Sequence, residues 1–348
     1  MSFSVGIVGL PNVGKSTLFK ALTRKQVDAS NYPFCTIKPN IGVVAVPDQR
    51  LEALAEISCS VKIIPTVIEF VDIAGLVKNA HKGEGLGNQF LANIREVDAI
   101  VQVVRNFSDP EVIHVAGRVD PLTDRETINL ELIFADLQTV EKRLLGLERD
   151  LKAGKKDAKE LAELLKRIKA ILDKSQPAVQ ALEKKEEFEL IKELNLLTVK
   201  PIIYVLNVDE DKIFQESDFI VISAKVESEL AELSEKESKN YLKELKLDSS
   251  GLDKLIKKSY EVLNLITYFT SGEKETRAWT IKKGTKAPAA AGKIHTDFEK
   301  GFIRAEVINW QDLVKTGSET AAKEKGLLRI EGRGYLVQDG DVMHFRVA

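Results

Sequence analysis

The chain has 348 residues, more than one hydrophobic core usually serves, so two or three domains are expected. Its 44% apolar and 30% charged make-up is that of a soluble globular protein, and a net charge of −2 argues against nucleic-acid binding driven by bulk charge. Cys35 and Cys59 are the only cysteines and lack metal-ligand spacing, no apolar run reaches membrane-spanning length and no cationic leader opens the chain, so cytoplasm is the expected location.

From residue 1 to about 125, short apolar runs alternate with helical stretches, the pattern of an α/β sheet. Strands are predicted over Ser4–Gly9, Ile41–Val46, Thr66–Asp72 and Ala99–Val104, and a helix opens at Pro47-Asp48. Between the first strand and the helical run from Ser16 to Thr23 lies Gly9-Leu10-Pro11-Asn12-Val13-Gly14-Lys15-Ser16, a G-x-x-x-x-G-K-[ST] phosphate loop. Its glycines let backbone N–H groups turn inward around phosphate oxygens. Lys15 adds a cation for the β/γ-phosphates, Ser16 offers its hydroxyl to Mg²⁺, and Asn12, Val13, Gly14 and Thr17 complete the expected phosphate-binding set. Asn12 is in addition a candidate ligand for a monovalent cation bridging the phosphates; a simple loop-closing hydrogen bond is the plainer reading.

The strand ending in Asp72 runs into Asp72-Ile73-Ala74-Gly75, where the aspartate can hold Mg²⁺, generally through water, and the Gly75 N–H can sense the γ-phosphate. Thr36, in the polar loop Tyr32–Thr36, is the candidate second hydroxyl on Mg²⁺. Small GTPases orient water with a glutamine directly after Asp-x-x-Gly; here stands Leu76, which cannot. The next polar candidate is His81, in a loop made pliant by Gly83, Gly85 and Gly87. A catalytic histidine and an exposed loop histidine in a signalling switch both remain open readings. His114, His295 and His344 have no such setting.

From Glu126 to about Val199 the chain is rich in Leu, Lys, Glu and Ala. Leu130, Ile133, Leu137, Val140, Leu144, Leu147 and Leu151 form one helix face, Gly154 interrupts it, and a second run passes through Leu161, Leu164, Leu165, Ile168 and Leu172. An antiparallel helical hairpin inserted into the first domain is expected, either an arm that touches a partner or a solvated excursion without a site. Strands resume at Pro201–Asn207 and Asp218–Ser223, followed by a helix over about 225–245 and a segment Leu252–Phe269 packed on the sheet. From Gly272 a compact α+β module is predicted: strands Thr276–Lys282, Phe302–Ile308, Leu327–Ile330, Tyr335–Val337 and Val342–Val347, with a helix over Ala287–Phe298. It is mildly basic, with 14 Lys and Arg against 11 Asp and Glu.

Base recognition is expected from loops after the late strands. Asn207-Val208-Asp209-Glu210 occupies the place where GTPases carry Asn-Lys-x-Asp, and Ser223-Ala224-Lys225 the place of Ser-Ala-Lys. The lysine whose stem covers the base is here Val208, and the aspartate that grips guanine is here Glu210, one methylene longer. Unmet buried polar groups are expensive, and adenine lacks the two donors concerned, so ATP is expected over GTP. Asn207 would then take the purine N7 and the backbone near Val208 the adenine amino group. The rival reading is that Asp209 serves guanine through a register shift.

Together these residues resemble the YchF-type ATPases, an Obg-related branch of the translation-factor P-loop GTPases. Beside the motifs above, the resemblance is carried by Asn31–Asn40, by Gly83-Glu84-Gly85-Leu86-Gly87-Asn88-Gln89-Phe90-Leu91, and by the stretch Ala289–Glu306; it covers essentially the whole chain. It implies a P-loop domain with a mostly parallel sheet (1–125 and 199–271), an inserted antiparallel helical domain (126–198) and a C-terminal ubiquitin-like (β-grasp) TGS domain (272–348). It also implies hydrolysis of ATP in preference to GTP, a need for Mg²⁺, help from K⁺, and association with the ribosome at its large subunit or intersubunit region. RNA contact through the helical or TGS domain, no membrane, and a monomer are expected. Residue by residue, Ser16 and Thr36 would be magnesium ligands, Asn207 and Val208 would meet adenine, and Lys15 and His81 would serve catalysis.

Overall fold

Five apolar runs ending at polar or glycine-rich loops make the parallel heart of the first sheet. The computed structural model describes residues 3–25, 40–73, 87–109, 112, 117–215 and 217–348. In it β1 (Ser4–Val8), β4 (Val67–Asp72), β5 (Ala99–Asn106), β6 (Ile202–Val208) and β7 (Ile220–Ile222) run parallel, and β2 (Ile41–Ala45) closes one edge antiparallel to β4. The strand order is β2-β4-β1-β5-β6-β7. Alternation along each strand sends side chains to two buried faces. Val5, Ile7, Val101, Val103 and Val205 pack under α1 (Lys15–Arg24) and α9 (Gly251–Val262), through Leu18, Leu22, Leu252 and Ile256. Val8 and Ile100 meet α3 (Asn88–Glu96) and the first half of α4 (Pro121–Lys152), through Ile94, Ile128 and Leu132 on the opposite face. The result is a doubly wound sheet whose loops after β1, β5 and β6 converge at one end, where such folds take ligands.

The inserted helices begin earlier than the Leu/Lys/Glu composition suggested. Asp120 caps α4 by accepting from the Thr123 N–H, with Pro121 at the first helical position. Only the second half of α4 leaves the sheet. There Val140 and Leu147 pack against Leu164, Leu165 and Ile168 of α5 (Lys156–Leu172), after a reversal at Gly154 with φ 73°. Leu130 and Leu151, at the ends of the predicted stripe, are exposed. The chain returns through α6 (Lys185–Ile191), and buried Asp136 of α4 secures it by accepting from the Leu197 and Thr198 N–H groups at 2.8 and 2.7 Å and from the Thr198 hydroxyl.

A second six-stranded sheet has the order β11-β10-β12-β8-β9-β3. Its strands are β3 (Lys62–Ile64), β8 (Leu265–Ser271), β9 (Glu275–Lys282), β10 (Phe302–Asn309), β11 (Arg329–Glu331) and β12 (Asp341–Val347). On one face α10 (Ala287–Ile294) lays Ala287, Ala290 and Ala291 against Tyr268, Ile281 and Phe302. The other face is covered by α2 (Arg50–Ile57), α12 (Trp310–Thr316) and α13 (Glu319–Glu324), whose Leu54, Leu313 and Ala322 pack on Phe269, Ala278 and Val342. Thus α2 and β3, which lie in the chain between two strands of the first sheet, are built into the second. β3 pairs with β9, and Arg50 bonds both Asp48 and Asp339 while lying over the Phe269 ring.

Several predicted elements differ in detail. The segment Leu252–Phe269 is two elements, α9 and β8, parted at Asn264 with φ 53°; β8 joins the second sheet, so pairing into that sheet begins before Gly272. The stretch 225–245 is likewise two helices, α7 (Ala224–Leu230) and α8 (Glu235–Glu244), and the helix over 287–298 breaks at His295, whose Nδ1 accepts from the Asp297 N–H to start α11 (Thr296–Lys300). Tyr335–Val337 is no strand: Asp341 captures the Tyr335 hydroxyl and the Gln338 N–H, folding the segment into a turn with a single bridge, Lys286 to Leu336. β3 was missed because three residues lack a readable period and their partner is more than 200 positions away.

Candidate nucleotide-binding cleft

The phosphate loop's two glycines are required by tertiary neighbours as much as by phosphate. Gly9 has φ 151° and a Cβ there would come closer than 3.0 Å to the Val103 carbonyl of β5; Gly14 has φ 94° and a Cβ would meet the Asn207 amide equally closely. The missing side chain at Gly14 lets Asn207 reach across: its Nδ2 donates to the Val13 carbonyl at 3.0 Å and its Oδ1 accepts from the Ala224 N–H at 2.9 Å. Asn207 therefore staples the phosphate loop, β6 and the Ser223-Ala224-Lys225 turn together. This scaffold role was not foreseen beside the expected purine contact. Val13 itself is buried in the main core and Ser223 and Ala224 are buried beside it, whereas Ser16, Thr17 and Lys225 are exposed to the cleft.

Lys15 is largely buried and donates to the Leu10 carbonyl at 2.6 Å. Burial lowers its pKa to about 8, against the opposing pull of the Asp72 carboxylate. Asp72 ends β4 and is itself buried. A P-loop magnesium ion takes most of its ligands from phosphates and water, so one hydroxyl and one carboxylate would suffice from the protein, and Ser16 and Asp72 are the candidates for that donor set. Among the described residues no cluster of three His, Cys, Asp or Glu stands ready to hold a metal by itself.

The cleft measures about 740 Å³, a size that suits a nucleotide. Asn207, Val208, Asp209 and Glu210, after β6, form one wall; Phe107, Ser108, Asp109 and Val112, after β5, form a second that adjoins it. Val208 turns its side chain into a small apolar cluster with Val104 and Leu206, and Glu210 is exposed. Asp209 is engaged on the protein: both carboxylate oxygens accept from the Ser108 N–H at 3.2 Å, and one pairs with Lys212 at 3.0 Å. Asn12, with φ 62°, sits where the phosphate loop meets the second wall.

Of the predicted site residues, the cleft brings together Asn12, Gly14, Lys15, Ser16, Thr17, Asn207, Val208, Glu210, Ser223, Ala224 and Lys225. Val13 and Asp72 flank it, while Gly75, Thr36 and His81 lie outside the described residues. His344 is an exposed side chain on β12, and His295 is a helix cap in the second sheet's layer; neither is near the cleft. The wall of Phe107, Ser108, Asp109 and Val112 was missed because motif logic pointed only to β1, β4, β6 and β7. One signal was available: Arg105 is the single charged residue of a mostly apolar strand, and buried charges seldom stand without purpose.

Comparison with known proteins agrees with this architecture. Residues 4–135 match the family described as 50S ribosome-binding GTPase, and residues 265–348 match YchF-GTPase_C, described as a protein of unknown function (DUF933). The Ribosome-binding ATPase YchF of Bacillus subtilis is 53% identical, with 99% of each chain aligned, and that of Haemophilus influenzae 51% identical over the same shares. The Schizosaccharomyces pombe YchF GTPase structure superposes with a TM-score of 0.89 at 40% identity, covering 99% of this chain and 98% of that one. A GTP binding protein from Pyrococcus horikoshii, 21% identical with full coverage of both chains, shares the fold at a TM-score of 0.62. A phosphate loop stapled to a Val-Asp-Glu base loop, continued into this second sheet and matched along nearly its full length, leaves one assignment: the chain belongs to the YchF family.

Proposed function

We propose that the cleft binds ATP in preference to GTP and hydrolyses it slowly, and that the chain works as a nucleotide-dependent switch on the ribosome. The observation that carries the base preference is the state of Asp209. The carboxylate that would have to serve guanine after a register shift is held by the Ser108 N–H and Lys212, and Glu210 lies exposed on the cleft lining. An adenine ring leaves no donor pair unmet in such a slot. The second Nδ2 hydrogen of Asn207 remains for the purine N7 and the main chain at Val208 for the amino group. Ribosome association and the ATPase activity rest on the names of the relatives.

In catalysis Lys15 and the backbone amides after Gly9 hold the phosphates, and Ser16 and Asp72 would hold Mg²⁺, whose chemistry is to neutralise charge developing on the β/γ oxygens. Thr36 as a second hydroxyl ligand, Gly75 as a γ-phosphate sensor and His81 as the group that places water complete the proposal from sequence. K⁺ at Asn12 is proposed as an activator. The chain is proposed to act as a cytoplasmic monomer; among the described residues no helix is long and apolar enough to cross a membrane. The three units proposed are the P-loop domain (1–125 and 199–271), the helical arm (126–198) and a TGS module (272–348). Strand pairing favours moving the last boundary back to Leu265, and the arm and the TGS module are where RNA contact is proposed.

Competition between ATP and GTP for a fluorescent nucleotide tests the reading: tighter ATP binding is expected, and equal or tighter GTP binding overturns it. That outcome would favour a guanine-specific GTPase of the Obg group, the reading suggested by the description of the N-terminal family. Absence of phosphate release in a single turnover with ATP, Mg²⁺ and K⁺ would instead leave a nucleotide-stabilised binding module.

A further inference from the structure

We propose that Arg105 is a positioning residue that sets the width of the nucleoside end of the cleft. This inference rests on the reading of the cleft as an adenine-nucleotide site and adds the group that shapes it. Arg105 is the last residue but one of β5, beside Asn207 on β6, and is 2% exposed. Its guanidinium donates to four main-chain carbonyls: Phe107 at 3.2 Å, Val112 at 2.8 Å, Asp109 at 3.3 Å and, in the phosphate loop, Asn12 at 3.5 Å. Its plane also lies over the Phe107 ring, 4.3 Å from the centroid. Three of these carbonyls belong to one wall of the cleft and the fourth to the phosphate loop. Burying a guanidinium is costly, and a planar fork with five donors is the one side chain that can satisfy so many divergent carbonyls from a single centre. The distance between the loop that takes phosphates and the wall that faces the nucleoside is therefore set through Arg105. Asp209 holds the same wall from the far side through the Ser108 N–H.

The phosphate loop has its own staple in Asn207, so loosening Arg105 should be felt by the nucleoside and not by the phosphates. The test is titration of wild type, Arg105→Lys and Arg105→Met with N-methylanthraniloyl-ADP, competition by inorganic tripolyphosphate, and thermal unfolding of each variant. In Arg105→Lys, ADP binding is expected to weaken tenfold or more while tripolyphosphate affinity stays within threefold of wild type. A folded Arg105→Lys whose ADP affinity is within twofold of wild type, or which loses both ligands equally, overturns the proposal. Should neither Arg105 variant fold, Asp209→Ala decides: the same split at about threefold supports the proposal, and unchanged ADP binding overturns it. Wild-type protein that takes tripolyphosphate but no ADP would overturn the underlying reading of the cleft, an outcome distinct from wild-type binding with unaltered variants.

Discussion

The nucleotide cleft and the helical arm are held by opposite means. In the cleft, buried polar side chains bond main-chain groups of the surrounding loops: Asn207 to Val13 and Ala224, Lys15 to Leu10, Arg105 to Val112 and Asn12. In the arm, α4 and α5 meet through an apolar stripe, and the ion pair between them, Glu141–Lys169, is exposed. The difference teaches where precision comes from. Apolar stripes slide and repack at modest cost, whereas a hydrogen bond to a named carbonyl is either made or lost. The arm resembles the cleft at its root, where Asp136 grips Leu197 and Thr198.

Four changes break or sharpen that contrast. Gly14→Ala should have the largest effect, because the new Cβ meets the Asn207 amide at a positive φ. Fluorescent-nucleotide titration should show affinity down by upwards of about a hundredfold, roughly 3 kcal/mol. Next, Asp136→Ala leaves two buried amides without their acceptor and should lower the unfolding free energy by about 2–3 kcal/mol, read by denaturant titration. Nucleotide affinity at moderate temperature should change less than about twofold if cleft and arm are as separate as their contacts imply.

A pH series probes Lys15. Its folded pKa of about 8 lies below the unfolded 10.5, so the unliganded protein releases the proton first and its stability gains from this group as pH rises from 8 to 10.5. Triphosphate prefers the charged amine, so ATP affinity should fall across the same window, by at most about tenfold per pH unit. Thermal melts of free and ATP-loaded protein should therefore converge with rising pH; a constant gap would mean Lys15 stays charged in the free cleft. The smallest effect belongs to Glu141→Ala, which removes a half-exposed ion pair on the arm. It should cost no more than about 0.5 kcal/mol, and still less in high salt.

Much of the first domain was legible because its signals are local. A phosphate loop between an apolar run and an amphipathic one needs no distant partner to be recognised, and the strand ends at Asp72 and Asn207 follow the same logic. The arm was legible from its period, with its start missed by five residues because the first turns of α4 belong to the sheet's own core. What escaped is non-local: β3, too short to show a period, pairs with β9; α2 covers the second sheet; and the Phe107–Val112 wall acquires its meaning only through Arg105 and Asp209.

By itself, then, the order of residues marked the candidate phosphate loop, the hydroxyl and carboxylate proposed to accompany it, and the standing of Val208 and Glu210 where GTPases carry Lys and Asp. Only the tertiary structure decided that Asn207 is a staple, that Asp209 is occupied, and that a buried arginine spans the cleft. The physical reason is range. Propensity, capping and periodicity act over a few neighbouring residues, while the partner of a buried hydrogen bond is chosen by which strands the sheet sets side by side, and β5 and β6 are brought together across 95 intervening residues.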